Sequence, residues 1–510
     1  MPEERMTEER PNILLIMADQ LVPFLTGAYG HPVVQTPNLD RLAAEGVRFD
    51  AAYTPYPLCA PARVAFMTGR YASRLGCYDN AALFPADQPT IAHYLTNAGY
   101  ETVLSGKMHF VGPDQLHGFG RRLTTDVFPA NISWVPALAD AERLTQGGHA
   151  HNYVLPNVGV RPWTKFLSYD EETQFRALEY IRERGRAGPQ GPFFLVVSYH
   201  HPHDPFHVTR ELWDLYEGAP IAIPDFPVNL DETYSAMDRW VNEVHGVEEV
   251  PLREPDNLRA LRRAYYGLVT YVDRKVGQLL DALEETGQRE NTVIIFTADH
   301  GDMLGEKGMV QKRCYYEWSV RIPLIFHFPD GRYSGRCVST PASLLDLLPT
   351  LLDLAGVPAD HRLPADGSSL LPYLAGQEAP DRAVFSEYHL EKVKGPSFMV
   401  RRGRYKYVYI HEHGGQVGSQ LFDMLTDPGE WHNLAGAGER RLSAEGAEGE
   451  YSDIEASLRA LILGEFDPEQ LAAAAVDSVR RRLIVKEALA RNGIRWDFSP
   501  QFDATKQYVR

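Results

Sequence analysis

Two kinds of apolar pattern alternate along the chain. Residues 11–20 carry the unbroken run Ile13-Leu14-Leu15-Ile16-Met17 between turn residues, the pattern of a strand buried on both faces. Residues 193–199 and 292–298 repeat it. Between these runs the period becomes helical. Residues 36–46 open on Thr-Pro and close on glycine, 90–97 stop just before Gly99, and 258–285 form a long amphipathic stretch. Val47-Arg48-Phe49 and residues 100–107 add short strand candidates. Strands alternating with helices predict an α/β fold with a mostly parallel central sheet flanked by helices.

Beyond about Ala375 the texture changes. Residues 398–402 and 405–410 alternate like strands of a small antiparallel sheet. Residues 436–449, rich in Gly, Glu and Ala, read as a mobile loop, and 471–491 as one helix before an aromatic tail from Trp496. The expected organisation is an α/β unit over 1–375, a smaller α+β subdomain over 376–470, and a helix with an extended tail over 471–510.

Charge narrows the partners. With 51 basic and 68 acidic residues the formal charge is −17, which argues against a nucleic acid and favours steering of a cationic group. Four cysteines in 510 residues make no disulfide framework, so a reducing compartment is expected. The polar residues 1–10 and the short run 13–17 give no signal core, and no stretch has membrane length. The expectation is a cytoplasmic protein without a membrane partner.

Chemistry concentrates in four places. Cys59-Ala60-Pro61-Ala62-Arg63 sets a thiol ahead of an apolar run that looks like a helix start, where free N–H groups and the helix dipole favour an anion. Alone, Cys59 also fits a buried turn cysteine. The three buried runs end in Asp19-Gln20, in residues 200–204, and in Asp299-His300. Carboxylates and an imidazole converging on one sheet edge suit Ca2+, Mg2+ or Mn2+, the imidazole leaning toward Mn2+. Taken singly, each residue could equally cap a helix or close a turn.

Taken together, these pieces resemble the type I, formylglycine-dependent sulfatases of the alkaline phosphatase superfamily, over nearly the whole chain. The matching motifs are Pro-Asn-Ile-Leu-Leu-Ile-Met-Ala-Asp, Cys-Ala-Pro-Ala-Arg, Gly-Lys-Met-His, Pro-His-Asp-Pro and Ala-Asp-His-Gly-Asp-Met-Leu-Gly-Glu. The late Leu-Phe-Asp-Met-Leu-Thr-Asp-Pro-Gly-Glu-Trp-His-Asn-Leu follows in order. The resemblance implies an alkaline phosphatase-like fold and conversion of Cys59 to formylglycine by a maturation enzyme. One hydroxyl of its hydrate would attack sulfur, and the other would release sulfate. It implies Asp19, Asp299, His300 and Gln20 as ligands of a divalent metal, Ca2+ first and Mn2+ or Mg2+ as alternatives. Arg63, Lys107, His109, His203 and Lys312 would hold the nucleophile, the sulfuryl oxygens and the ester oxygen.

Within that family the chain is most similar to the choline sulfatases, through residues 106–119, 122–126 and the late Trp496-Asp497. That similarity implies choline O-sulfate as substrate and an ammonium pocket of Trp134, His151, Asn152, Glu387 and Asp497, with Asn80 near the sulfate. An aromatic face and carboxylates are what a trimethylammonium group needs. It also implies a homo-oligomer, a dimer or tetramer, whose tail reaches a neighbouring site. The chain stops at Arg510, short of the tails of that group, and Gln311-Lys312-Arg313-Cys314 is less aromatic than its pattern. The rival readings are a phosphonate or phosphate monoester hydrolase, a broad arylsulfatase, and a non-catalytic binder of quaternary ammonium compounds.

Overall fold

The computed structural model describes residues 10–501 apart from 138–154, 156–157, 189, 248–249, 413 and 437–447. Its centre is an eight-stranded sheet. The order is Arg336–Val338, Val47–Phe49, Leu324–His327, Thr292–Ala298, Asn12–Asp19, Phe193–Pro202, Glu101–Gly106, Arg121–Arg122. Only Leu324–His327 runs against its neighbours; the other pairings are parallel. The three apolar runs therefore lie side by side in the middle, Asn12–Asp19 between the other two.

The reason is their composition. Every residue of Phe193–Pro202 and Thr292–Ala298 is buried, as is all of Asn12–Asp19 after Asn12, so both sheet faces are covered. Helices Pro37–Ala44, Lys165–Ala187 and Pro255–Glu285 pack together as one group. Cys59–Thr68, Ile91–Asn97 and Leu347–Leu354 pack as another. Register then aligns the strand ends: Ala18 faces Ala298, Asp19 faces Pro202, and Gly106 faces Ser198. Gly106 is required there, since a Cβ would sit 2.0 Å from the Ser198 carbonyl oxygen, and its φ is +106°.

The C-terminal residues form a four-stranded antiparallel sheet in chain order, Ala383–Tyr388, Ser397–Arg402, Tyr405–Glu412 and Gly415–Asp423. Helix Glu448–Glu465 packs on it over a core that includes Phe398, Val400, Tyr407, Leu421 and Ile462. A buried lysine ties this sheet to the main body. Lys406 Nζ donates to the Tyr315 carbonyl at 2.8 Å and to Glu317 Oε1 at 3.0 Å, and also meets Glu430. Of the expected loop at 436–449, residues 437–447 lie outside the described residues. Helix Pro468–Asn492 follows, slightly longer than its sequence pattern. No helix among the described residues is long and apolar enough to cross a membrane.

Candidate active site

Cys59 is the first residue of helix Cys59–Thr68, all ten residues of which are buried. The backbone turns into the helix at Leu58 in extended conformation, Pro61 sits in the first turn where its missing N–H is harmless, and Gly69 ends the helix at φ +64°. Asn80 Oδ1 accepts from Ala60 N at 3.0 Å, satisfying one of the free donors at the N-terminus. The thiol thus lies at the positive end of a helix dipole, over the C-terminal edge of the sheet.

Around it gather the strand ends. One ligand atom each from Asp19, Cys59, Asp299 and His300 lies within 4.8 Å of the others. Cys59 Sγ is 3.2 Å from His300 Nε2 and 3.9 Å from Asp19 Oδ1. His300 Nδ1 donates to the Gly301 carbonyl at 3.0 Å, which leaves the Nε2 lone pair turned into the cluster. Two carboxylates and an imidazole so oriented fit a divalent cation. Gln20, the fourth expected ligand, follows Asp19 directly, and its backbone N–H donates to Asp299 Oδ1 at 3.0 Å. Its amide oxygen meets Lys312 Nζ, and its amide nitrogen meets Asp204 (3.2 Å) and Asp302.

Cations surround these acids. Arg63 is wholly buried; its Nε donates to Asp299 Oδ2 at 2.9 Å, and Nη1 donates to the Lys107 carbonyl at 2.6 Å and Ser198 Oγ at 2.9 Å. Lys107 Nζ meets Asp19 Oδ2. Burial and Cys59 would raise the Asp19 carboxyl, but Lys107, His203 and Arg63 outweigh them and hold it at about 2. Burial likewise opposes ionisation of Cys59, yet Lys107, Lys312 and His300 draw its thiol well below the ordinary range. Asp126 accepts from the backbone N–H of Met108 (3.0 Å) and His109 (2.8 Å), fixing the turn that presents Lys107 and His109. On the other side, Lys312 Nζ lies 2.9 Å from His203 Nε2, and His203 Nδ1 lies 2.7 Å from the Asp204 carbonyl oxygen.

A cleft of about 360 Å³ opens from Cys59. Its walls also carry Asn80, His203, Gln311 and Lys312, the aromatic rings of Phe128 and Trp134, and Arg313, Glu391 and Lys392. Trp134 is 48% exposed, its ring edge-on to His109 (5.6 Å between centroids) and to Phe128 (5.2 Å). A larger hollow of about 850 Å³ lies by Arg402 and Gly403, with none of the cluster on its walls.

The expected ammonium pocket is assembled only in part. Trp134 and Asn80 line the cleft. Glu387 does not: it is fully buried, accepting from Ser73 N at 2.9 Å and lying 2.8 Å from His389 Nε2. The carboxylate on the wall is Glu391, unmarked by any sequence motif, which accepts from Arg313 Nη2 at 2.6 Å. Burial would raise its carboxyl, and Arg313 more than compensates, leaving it below the usual range. Asp497 accepts from Ala130 N at 3.3 Å, on the loop that carries Trp134, and is not on the cleft wall. His151 and Asn152 lie outside the described residues.

The chain is similar to known proteins over most of its length. Residues 11–357 match the family described as Sulfatase, and 305–445 match N-sulphoglucosamine sulphohydrolase, C-terminal. The chain is 40% identical to choline-sulfatase of Rhizobium meliloti (strain 1021), covering 99% of this chain and 96% of that protein. It is 30% identical to an arylsulfatase of Clostridium perfringens (strain 13 / Type A), covering 83% and 90%. The solved phosphonate monoester hydrolase of Agrobacterium radiobacter superposes with a TM-score of 0.66 at 26% identity, covering 89% of this chain and 96% of that one. With Cys59, Arg63, Lys107 and the acidic strand ends converging as they do, this chain belongs to the sulfatase family.

Proposed function

We propose that this sulfatase cleaves choline O-sulfate to choline and sulfate, using a formylglycine made from Cys59 and a divalent cation held by Asp19, Asp299 and His300, with Gln20 as a fourth ligand. The observation that carries the reading is the cleft itself, cationic at Cys59 and walled by Phe128, Trp134 and Glu391 where the alcohol would lie. The 40% identity to a choline-sulfatase over nearly the full length supports it.

Formylglycine would supply an oxygen nucleophile and a route for shedding sulfate. The cation, Ca2+ first and Mn2+ or Mg2+ otherwise, would supply Lewis acidity. The chain's own residues do the rest. Arg63 locks Asp299 and the Lys107 carbonyl in place, so the acids cannot drift from the nucleophile. Lys107 and Lys312, whose charges both act on the Cys59 thiol, would bring positive charge to the sulfuryl group, where negative charge grows in the transition state. Lys312 Nζ and His203 Nε2, 2.9 Å apart, hold a proton on the cleft side, where the departing alkoxide needs one. Trp134 offers a face and Glu391 a charge to the trimethylammonium group. Maturation by a formylglycine-generating enzyme and assembly into a cytoplasmic dimer or tetramer belong to the same proposal.

A second reading, hydrolysis of phosphonate monoesters, is favoured by the superposition on the Agrobacterium enzyme. One comparison separates the two. Protein shown by peptide mass to carry formylglycine at position 59 is assayed for kcat/KM on choline O-sulfate, on 3,3-dimethylbutyl sulfate and on a phosphonate monoester. The second ester keeps the sulfate and has carbon in place of the ammonium nitrogen. A preference of about tenfold or more for the choline ester is expected, the range of one desolvated cation–π contact with a carboxylate. Equal rates on the two sulfate esters would remove the ammonium site, and a dominant phosphonate activity would install the second reading.

A further inference from the structure

Helix Pro468–Asn492 lies far along the chain from every residue of the reacting cluster, yet it packs against the chain neighbours of three residues that line the cleft. A small apolar core gathers Ala475 and Val479 of the helix with Tyr78 and Ala81, with Ile132 and Val135, and with Leu390. The two pairs flank Asn80 and Trp134, and Leu390 precedes Glu391. Two polar contacts reinforce this packing. Arg482 donates to both oxygens of Asp79, Nη1 to Oδ1 at 2.5 Å and Nη2 to Oδ2 at 2.8 Å, with both side chains buried. Asp79 is the neighbour of Asn80, which caps the nucleophile helix. One turn farther on, Lys486 Nζ donates to the carbonyl of Ser133 at 2.7 Å and to that of Val135 at 3.3 Å.

Those two carbonyls bracket Trp134. Residues 131–137 belong to no helix or strand, and one turn bond, from Val135 N to the Ile132 carbonyl at 3.2 Å, fixes the peptide plane that follows Trp134. Lys486 fixes the plane that precedes Trp134 through the Ser133 carbonyl, and the next plane but one through the Val135 carbonyl, so it anchors the turn on both sides and with it the direction in which the Trp134 side chain leaves the backbone. We propose that helix Pro468–Asn492 is a specificity clamp for the leaving-group end of the cleft, anchored by Arg482 on Asp79, with Lys486 a positioning residue for Trp134. The proposal rests on the choline reading above, because it acts through the aromatic wall that reading assigns to the ammonium group. Without Lys486, Trp134 must be ordered when substrate binds, and that ordering is charged to affinity rather than to the chemical step.

The test is a mutant cycle on the full chain with two esters, choline O-sulfate and ethyl sulfate, which lacks the trimethylammonium group. Lys486→Met should raise KM for choline O-sulfate about three- to tenfold, the span for ordering one large side chain. Its kcat should stay within about twofold, and kcat/KM for ethyl sulfate should not change. Lys486→Arg, which keeps the charge and the donors, should restore KM. In a Trp134→Ala background, Lys486→Met should add nothing. Equal losses on both esters, or losses that multiply with Trp134→Ala, would overturn the clamp. The outcomes also separate the two proposals. If Trp134→Ala leaves the ratio of the two esters unchanged, the choline pocket falls and the clamp with it. If Trp134→Ala lowers that ratio and Lys486→Met does not, the clamp alone falls.

Discussion

Glu391→Gln removes one negative charge from the cleft wall while keeping the side chain's size. Its carboxylate is held by Arg313 at 2.6 Å, and Arg313 in turn donates to Gln311 Oε1 at 2.7 Å, so the geometry of the wall has independent support. For a cation about 5 Å from the carboxylate at an effective dielectric of about 20, the attraction is about 3 kcal/mol. The open mouth of the cleft screens part of this, so about 1.5 to 3 kcal/mol is expected, one to two orders of magnitude in rate. Arg313, left without its partner, adds repulsion in the same direction. The assay is kcat/KM of wild type and variant on choline O-sulfate and on its isostere 3,3-dimethylbutyl sulfate. The choline ester should lose about ten- to hundredfold and the isostere, which lacks the ammonium charge, about nothing. Equal loss on both esters, or no loss on either, would refute the electrostatic role of Glu391.

Three further outcomes follow from other parts of the molecule. Cys59→Ala should abolish turnover and leave the circular dichroism spectrum intact, because the small side chain fits the buried first turn; residual turnover would overturn the nucleophile. Lys406→Met strands the buried carboxylates of Glu317 and Glu430 against each other. A loss of about 3–5 kcal/mol is expected, read as a lower urea midpoint, and an unchanged midpoint would refute it. Burial, reinforced by Arg313 and Lys312 against Glu391 and Asp204, pushes the cleft lysine Lys392 down to about 7. Charged below that pH and neutral above it, Lys392 repels a trimethylammonium group only on the acid side. KM for choline O-sulfate, taken relative to that for the isostere without the ammonium charge, should therefore fall between pH 6 and pH 8, and Lys392→Met should flatten this change. A profile identical in the variant would remove Lys392 as its origin.

The sheet was readable because its central strands are apolar on both faces, so neither helix nor loop could accommodate them. Asp19, Asp299 and His300 were readable for the same reason, being the first polar residues after such runs. Helix Lys165–Ala187 left no such trace. Its buried positions include Asp170, Thr173 and Gln174 beside Phe166 and Ile181, which breaks the apolar period. Asp170 is there because it accepts from the backbone N–H of His200 (2.7 Å) and His201 (3.0 Å), at the strand end that delivers His203. The cleft carboxylate was hidden differently. Glu387 and Glu391 are four residues apart, and nothing in their neighbourhood ranks one above the other. The backbone decides: Glu387 stays in its strand, whereas Glu391 and Lys392 both adopt left-handed φ values, +71° and +69°, which carry the chain into the cleft wall.

The burial of the Cys59 helix has a consequence for when the protein can be made competent. The thiol is 2% exposed and every residue of its helix is covered. An enzyme that oxidises a cysteine must grip the peptide around it, and here that peptide is sealed between the sheet and its neighbouring helices. On the reading proposed above, activation is therefore a race during synthesis. A chain that folds before it is converted is stable, complete in outline and permanently inert, and only unfolding it again could give the maturation machinery a second chance.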